Sequence, residues 1–305
     1  MISINVHNEI AQLKSVLVGI ADDFGGTPNL EACYDPKSKE HIIAGTYPFE
    51  QDLIKEIEGF CAILEKYGVT VYRPENIKGL NQIFTRDIAF VIGGKLVLPN
   101  IITDRKQEAE AITNVLSLIK AEDIIRMPEN TSTEGGDVML WNEYIFVGYS
   151  EKEDFEKYKV ARTNKAGLDF LTTTFRGKIV KGFELNKSDV DAKENALHLD
   201  CCFQPIGKGM AILYKGAFKN QEDVDFLTNY FGVENIIEIT KHEMYHMYSN
   251  VFSIAENIIV SEKGFTRLNA ELKKRGFVVE EIPFLETAKM EGLLRCSTMP
   301  LIRES

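Results

Sequence analysis

The sequence lacks the features of membrane-spanning, disulfide-bonded and nucleic-acid-binding proteins. Its 305 residues contain no run of 18 consecutive apolar residues, so no transmembrane helix is predicted. Cysteine occurs only five times, an odd number, and no pair has Cys-x-x-Cys spacing, which argues against a disulfide framework or a structural zinc site. The 35 Lys and Arg residues are outnumbered by 46 Asp and Glu, a balance that is a poor match for nucleic-acid binding.

The chain also lacks a basic lead and an apolar stretch at its start, Met1-Ile2-Ser3-Ile4-Asn5, so no secretory signal is visible. Unpaired cysteines are typical of a reducing compartment, and we therefore expect a cytoplasmic protein. No linker rich in Pro, Gly or Ser divides the sequence, which has only nine prolines. With 44% hydrophobic residues, the chain has ample material for one large core.

What the sequence does contain is an internal repeat of roughly 45–60 residues. Each unit comprises a short apolar strand, a turn, a second strand, a helix and a β-branched strand. The predicted units are residues 1–78, 79–130, 131–188, 189–242 and 243–305.

A final predicted strand, 294–301, has no helix after it and could pair with the first unit to close a ring. The repeat therefore predicts an α/β fold in which residues 1–305 form a single five-bladed αβ-propeller domain around a central site. Strands that alternate with helices also allow an ordinary open α/β sheet, which is the alternative. The elements predicted include a helix over 105–120 and a strand over 197–205.

One local motif suggests zinc. His242-Glu243-Met244-Tyr245-His246 has HExxH spacing, which on a helix places two imidazoles on one face with the glutamate as general base. Only about ten residues lie between the flanking predicted strands, however, too few for the long helix of a zinc peptidase. Ser249 and Phe252 occupy the positions where the extended motif has Gly and His. A surface turn is the preferred interpretation.

A second set of polar residues is dispersed but recurs at matching phases of the repeat. The set consists of four segments: Asn81-Gln82-Ile83-Phe84-Thr85-Arg86-Asp87, Thr133-Glu134-Gly135-Gly136-Asp137, Leu197-His198-Leu199-Asp200 and Leu294-Arg295-Cys296-Ser297. If the chain closes into a ring, these segments are equivalent and their starts converge at its centre. The convergence would gather carboxylates, an imidazole and a thiol, and the Gly-Gly pair would let the backbone approach a ligand closely.

Together these segments resemble the guanidino-group modifying enzymes, the pentein superfamily of arginine deiminases, dimethylargininases and amidinotransferases. Arg162-Thr163-Asn164 resembles a further segment of that superfamily. The resemblance covers essentially the whole chain in the expected order, and it implies a five-bladed αβ-propeller. It also implies a small guanidino substrate and no metal or organic cofactor. We expect no nucleic-acid or membrane partner, and a homodimer is possible.

The resemblance also assigns roles to individual residues. Asp87 and Asp200 would bind the guanidinium edge, against which Phe84 packs. Cys296 would attack the central carbon to form a thiouronium, and the charges of the substrate cation and His198 would lower the pKa of its thiol. His198, oriented by Glu134, would protonate the leaving amine and then activate water. The substrate carboxylate would be bound by Arg105 and Arg162, with assistance from Asn81.

Departures from the family patterns leave the acceptor open. Arginine deiminases carry a helical insertion and a glycine run before the cysteine, but this chain has only Glu291-Gly292-Leu293-Leu294-Arg295 there. Dimethylargininases are equally compact but lack an acid two positions after the histidine. Here Asp200 would crowd N-methyl groups, which favours an unmethylated guanidine. The preferred function is therefore an arginine deiminase-like hydrolase of L-arginine or a close derivative. The alternatives are an amidinotransferase passing the group to an amine such as glycine and, remotely, a non-catalytic pentein scaffold or a zinc peptidase.

Overall fold

The computed structural model describes residues 1–304, within which fifteen short strands form five three-stranded sheets. The strands are β1 (Gln12–Val18), β2 (Thr70–Tyr72), β3 (Phe90–Ile92), β4 (Lys95–Leu98), β5 (Ile124–Arg126), β6 (Val138–Trp141), β7 (Tyr144–Tyr149), β8 (Ile179–Glu184), β9 (Phe203–Ile206), β10 (Met210–Leu213), β11 (Ile236–Glu238), β12 (Phe252–Ala255), β13 (Ile258–Glu262), β14 (Val278–Ile282) and β15 (Thr298–Glu304).

Most of the helices connect the second and third strands of a unit, and three short ones precede the first strands of units. They are α1 (Pro36–Ile43), α2 (Glu50–Lys66), α3 (Thr85–Ile88), α4 (Thr113–Leu116), α5 (Lys152–Lys157), α6 (Lys165–Thr174), α7 (Gln221–Phe231), α8 (Lys241–Tyr245), α9 (Thr266–Lys274) and α10 (Leu285–Ala288). Among residues 1–304, no helix is long and apolar enough to cross a bilayer.

All five sheets share one topology. In four of them the first two strands form an antiparallel hairpin and the third returns parallel to the second, as in β6–β7–β8. The remaining sheet is completed by the end of the chain: β15 pairs antiparallel to β1, and β1 pairs parallel to β2. The last strand thus fills the first-strand position of the first unit, and the predicted five-bladed ring closure is confirmed.

Burial decreases along each blade from its first strand to its third. All residues of β3, β6, β9 and β12 are buried, whereas the third strands β5, β8 and β14 are largely half-buried or exposed. The first strands are therefore packed on all sides at the centre of the molecule. Because fully buried short strands are uniformly apolar, no alternating pattern marks them in the sequence.

Three predicted elements differ from the structure. The segment predicted as a helix over 105–120 is mainly a 3₁₀ helix, Thr103–Ile112, followed by the short α4. In that geometry side chains three residues apart eclipse, which places Arg105 above Glu108 for two hydrogen bonds of 2.9 and 2.7 Å. The strands predicted from residues 197 and 294 begin only at Phe203 and Thr298.

Candidate active site

The polar segments found in the sequence lie in single turns directly before the first strands of the blades, not within those strands. Helix α3 precedes β3, and one-turn 3₁₀ helices over Gly135–Asp137 and Leu199–Cys201 precede β6 and β9. The turn before β6 contacts each of the other two, and α3 also packs against β15. Residues separated by some 200 positions in the sequence are thereby brought together at the centre of the ring.

Cys296 is 2% exposed and lies in the turn before β15. Its thiol is 3.5 Å from Oδ2 of Asp200 and accepts a 3.2 Å hydrogen bond from Nδ2 of Asn250. Burial, followed by the charges of Asp200 and Asp87, raises the pKa of Cys296 well above its ordinary range. The charge of His198, one of the two cations expected to favour a thiolate, therefore does not offset the effect of burial and the two carboxylates.

His198 is held from two sides by carboxylates. Its Nε2 lies 3.0 Å from Oε2 of Glu134, and its Nδ1 lies 3.6 Å from Oδ1 of Asp87. Burial alone lowers the pKa of His198, but Asp87 and Glu134 outweigh that effect and raise it to about 9. Within residues 1–304, Nδ1 has no hydrogen-bond partner. The side chain is therefore an imidazolium at neutral pH with one nitrogen free for proton transfer.

Arg105 forms a densely bonded guanidinium behind this pair. Its Nη1 donates to Asp87 (2.7 Å) and Glu134 (3.2 Å), and its Nε and Nη2 donate to Glu108. Nη2 also donates to the carbonyl of Phe84 at 3.3 Å, so all five N–H groups have protein partners. The prediction that Arg105 binds the substrate carboxylate stays a prediction, since in this state the guanidinium has no N–H group to spare.

Arg162 is bonded less completely. Its Nη1 donates to both oxygens of Glu134, at 3.2 and 3.1 Å, and its Nε donates to the carbonyl of Lys159. The guanidinium lies over the ring of Tyr34, 5.3 Å from its centroid. Its Nη2 is buried and has no partner among residues 1–304. Arg162 therefore offers an unused donor beside the cavity that it lines. Burial raises the pKa of Glu134, but Arg162 and Arg105 outweigh it and lower that pKa.

Asp200 is completely buried and is oriented by a second ion-pair network. Its Oδ2 accepts a 2.9 Å hydrogen bond from Arg295, which is also paired through two nitrogens with Glu9 at 3.2 and 3.1 Å. Two carboxylates therefore balance the charge of this buried arginine. The Asp200 oxygen that faces the thiol also pairs with Arg295, an arrangement that could not be anticipated from the sequence.

A cavity of about 360 Å³ opens beside the thiol. The residues of the predicted site that line it are Asn81, Phe84, Asp87, Arg105, Arg162 and Cys296. Its outer wall comes from the segment between Phe24 and Tyr47, which includes Tyr34 and Asp35. The remaining predicted residues, His198, Glu134 and Asp200, do not line the cavity and are at most 1% exposed. The side-chain oxygen Oδ1 of Asn81 accepts a 3.1 Å hydrogen bond from the backbone N–H of Ile83.

Two glycines permit the close packing of this centre. A Cβ on Gly136 would lie 2.5 Å from Nδ1 of His198, and one on Gly292 would lie 2.2 Å from the ring of Phe84. We expected the Gly135-Gly136 pair to admit a ligand. Its close contacts in the structure are instead with protein groups, because Gly135 packs against the carbonyl of Arg86 and Gly136 donates to Asp87.

The HExxH segment forms the short helix α8 and lies outside this cavity. Glu243 forms a capping box with Thr240 and also pairs with Arg267, so both of its carboxylate oxygens are already bonded. Among residues 1–304, the group of side chains close enough to share a metal ion is instead Asp87, Glu134 and His198. The guanidinium of Arg105 contacts both carboxylates of that group, so their charge is already compensated.

Asn250 was missed in the sequence. Its Oδ1 accepts from the backbone N–H groups of Arg295 (3.0 Å) and Cys296 (3.2 Å), and its Nδ2 reaches the thiol. It therefore fixes both the backbone and the side chain of the cysteine. Asn250 stands two residues before β12, at the same phase as the other polar residues, so the repeat itself was a signal that could have identified it.

Comparison with known proteins identifies the family. The model of the family described as N,N dimethylarginine dimethylhydrolase, eukaryotic, matches residues 46–303. An uncharacterized protein of Bacillus subtilis, YkgA, is 32% identical over 222 residues, which cover 73% of this chain and 70% of that protein. AgrE of Nostoc, a bifunctional arginine dihydrolase/ornithine cyclodeaminase, is 22% identical over 81% of this chain, but the match spans only 33% of AgrE.

The fold is shared with solved enzymes of the same group. The amidinotransferase SxtG from Microseira wollei superimposes with a TM-score of 0.77 and 19% identity, covering 99% of this chain and 98% of that one. The matched family model covers most of the chain, and it includes the cysteine, histidine and carboxylates of the central site. The chain belongs to the N,N dimethylarginine dimethylhydrolase family, within the pentein superfamily of guanidino-group modifying enzymes.

Proposed function

We propose that the protein hydrolyses the guanidino group of L-arginine, or of a close derivative, through a covalent intermediate on Cys296. The observation that carries this proposal is the position of the Cys296 thiol, which lies on the wall of a cavity that also exposes Asp87, Phe84 and Arg162. A planar cation fits this wall, because a carboxylate can accept its paired N–H groups while an aromatic ring covers its face. In such a pose the central carbon faces the sulfur.

Binding of the cationic substrate supplies the positive charge that favours ionisation of the Cys296 thiol. The pKa of Cys296 is raised by burial and by Asp200 and Asp87, so a guanidinium placed between these carboxylates lowers it again. The thiol donates toward Oδ2 of Asp200 in the free protein, and that carboxylate is the acceptor for its proton. Asp200 thus acts on the cysteine as well as on the guanidinium edge, and the nucleophile forms only when the substrate is present.

His198 donates a proton in the first chemical step and accepts one in the second. In the first, the sulfur–carbon bond forms, the bond from that carbon to the leaving nitrogen breaks, and the imidazolium of His198 protonates the departing amine. In the second, the neutral imidazole takes one proton from water as the water oxygen attacks the thiouronium carbon, and the carbon–sulfur bond breaks. The thiolate recovers its proton from Asp200, and the second water proton passes to the released ammonia, giving ammonium. Glu134 holds Nε2 throughout, so Nδ1 is the nitrogen that transfers the proton.

Replacing Arg162 by alanine should separate substrates with a carboxylate from those without one. The unpaired Nη2 of Arg162 is the donor available for an α-carboxylate. A buried charge-assisted hydrogen bond is worth about 1.5–3 kcal/mol, so kcat/KM for L-arginine should fall roughly 10- to 150-fold. Agmatine, which has no carboxylate, should be turned over equally well or better. Steady-state kinetics with the two substrates check this, and equal losses on both would make Arg162 purely structural.

The proposed activity is tested by the products. Purified protein is incubated with L-arginine, with L-arginine plus glycine, or with Nω,Nω-dimethyl-L-arginine. Citrulline and ammonium from L-arginine alone support the proposal. Ornithine and guanidinoacetate that appear only with glycine would indicate transfer of the amidino group instead. Faster release of dimethylamine would establish the methylated substrate that the family description names, against the crowding expected at Asp200.

A further inference from the structure

Glu291 combines features that its surroundings do not explain. It lies five residues before Cys296 in the wall of the same cavity, and its backbone has φ +60°, in the left-handed region that favours glycine. A glutamate there costs free energy that a glycine would avoid. Its side chain is 94% buried (6% exposed), yet only Oε1 is bonded, accepting from Asn195 at 2.8 Å. Its Oε2 has no partner among residues 1–304.

A second carboxyl group lies beside it. Asp35 also lines the cavity and comes within hydrogen-bonding reach of Glu291. Its Oδ1 caps helix α1 by accepting from the N–H of Ser38 at 2.7 Å. Burial and the charge of Asp35 raise the pKa of Glu291 to about 8, and burial raises the pKa of Asp35 as well. Ionisation of either carboxyl group therefore disfavours ionisation of the other unless a cation lies beside the pair.

The cations nearby act on this pair through their charge but, in the described part of the chain, make no direct ion pair with it. The ammonium of Lys37 donates to the carbonyl of Tyr245 at 2.6 Å, and within residues 1–304 its nitrogen makes no ion pair within 4.0 Å of either carboxyl group. Arg162 acts on Asp35 only through its charge, because its own bonds go to Glu134 and Lys159. A positively charged ligand group would complete the pair.

We propose that Asp35 and Glu291 form an ammonium-binding subsite for the α-amino group of the guanidino substrate. This inference rests on the proposed function and extends it from the reacting group to the other end of the substrate. The placement is consistent: Tyr34 lies under the guanidinium of Arg162, and Asp35 is the next residue in the chain. The donor for an α-carboxylate and the acceptors for an α-ammonium are therefore adjacent, as an α-amino acid requires.

Three related substrates separate the two ends of the molecule. L-arginine carries both the ammonium and the carboxylate, agmatine carries only the ammonium, and 5-guanidinopentanoate carries only the carboxylate. Glu291→Gln should lower kcat/KM for L-arginine and agmatine roughly 10- to 150-fold and leave 5-guanidinopentanoate unchanged. Arg162→Ala should give the complementary pattern, affecting L-arginine and 5-guanidinopentanoate but not agmatine.

Companion variants exclude a folding defect. Glu291→Gly removes the carboxyl group at a backbone position that suits glycine, so it should show the same substrate pattern without a lower Tm. Asp35→Asn keeps an oxygen for the cap on α1 and should also weaken the two ammonium substrates selectively. The matched control is Glu256→Gln, at an exposed glutamate outside the cavity lining, which should alter none of the three.

The subsite proposal would be overturned if Glu291→Gln lost activity equally on all three substrates, or if it lost none. Turnover of none of the three by the unmodified protein would contradict the proposed function instead. In that case calorimetric affinities still decide the subsite. Preference of the unmodified protein for L-arginine over 5-guanidinopentanoate should disappear in Glu291→Gln, and an unchanged preference would refute the assignment.

Discussion

Replacing Cys296 by serine should reduce turnover of L-arginine by at least about 10³-fold, because a hydroxyl is a far weaker nucleophile than a thiolate. The fold should survive, since serine is close in size to cysteine and its hydroxyl can still bond to Asn250 and Asp200. Turnover is measured as citrulline release, and folding as Tm. A matched loss of Tm would mean that the variant reports stability and not chemistry.

Cys33 provides the internal control for this prediction. It lines the same cavity, is buried, and has a raised pKa caused first by burial and then by Asp35. It lacks the contacts with Asn250 and Asp200 that surround Cys296. Cys33→Ser should therefore retain activity. If Cys33→Ser were inactive and Cys296→Ser active, the nucleophile would have been assigned to the wrong thiol.

Much of the architecture could be predicted from the sequence because each sequence repeat corresponds to one structural unit. Each unit carries two short apolar strands, a helix and a returning strand, and a final strand without a helix leaves one pairing position to fill. The pairing of β15 with β1 follows from that surplus. Two of the polar segments, at residues 197–200 and 294–297, are predicted inside strands but lie in the turns before them. Thr85–Ile88 and Leu199–Cys201 are single helical turns, too short for any periodicity to reveal.

The rest of the site depends on contacts between distant residues. Glu9 is 286 residues away from Arg295 in the sequence, and neither forms a motif by itself. The five hydrogen bonds from Arg105 to protein acceptors and the free Nη2 of Arg162 become visible only when the side chains are placed. The same is true of Glu291. Its left-handed backbone conformation cannot be recognised from the sequence, because the residue there is a glutamate and not a glycine.

Replacing Glu134 by glutamine should lower kcat by about 10²–10⁴-fold and shift the pH dependence of the reaction. Glu134 bonds to Nε2 of His198 and contributes to raising the pKa of that imidazole to about 9. The first step requires the imidazolium, so kcat/KM of the unmodified protein should decline as the pH rises through about 9. Without the carboxylate, this decline should move toward the ordinary histidine value of 6.5.

The pH dependence of the free energy of unfolding offers a second test of the raised His198 pKa. A histidine with a raised native pKa contributes stability that is fully present below pH 6.5 and is lost as the pH rises through about 9. The free energy of unfolding of Glu134→Gln should therefore vary less than that of the unmodified protein across this window, as measured by denaturant titration at several pH values.

Because Glu134→Gln also leaves Arg162 without its buried counter-charge, its unfolding free energy should be lower by about 3–5 kcal/mol near pH 6.5, and this difference should narrow as the pH rises toward about 9. Glu134→Asp keeps the charge, and it should preserve the alkaline limit near pH 9 even if a longer hydrogen bond slows turnover. This comparison separates the charge of residue 134 from its shape. An alkaline limit that stays at the same pH in Glu134→Gln would show that His198 is not the group that protonates the leaving amine.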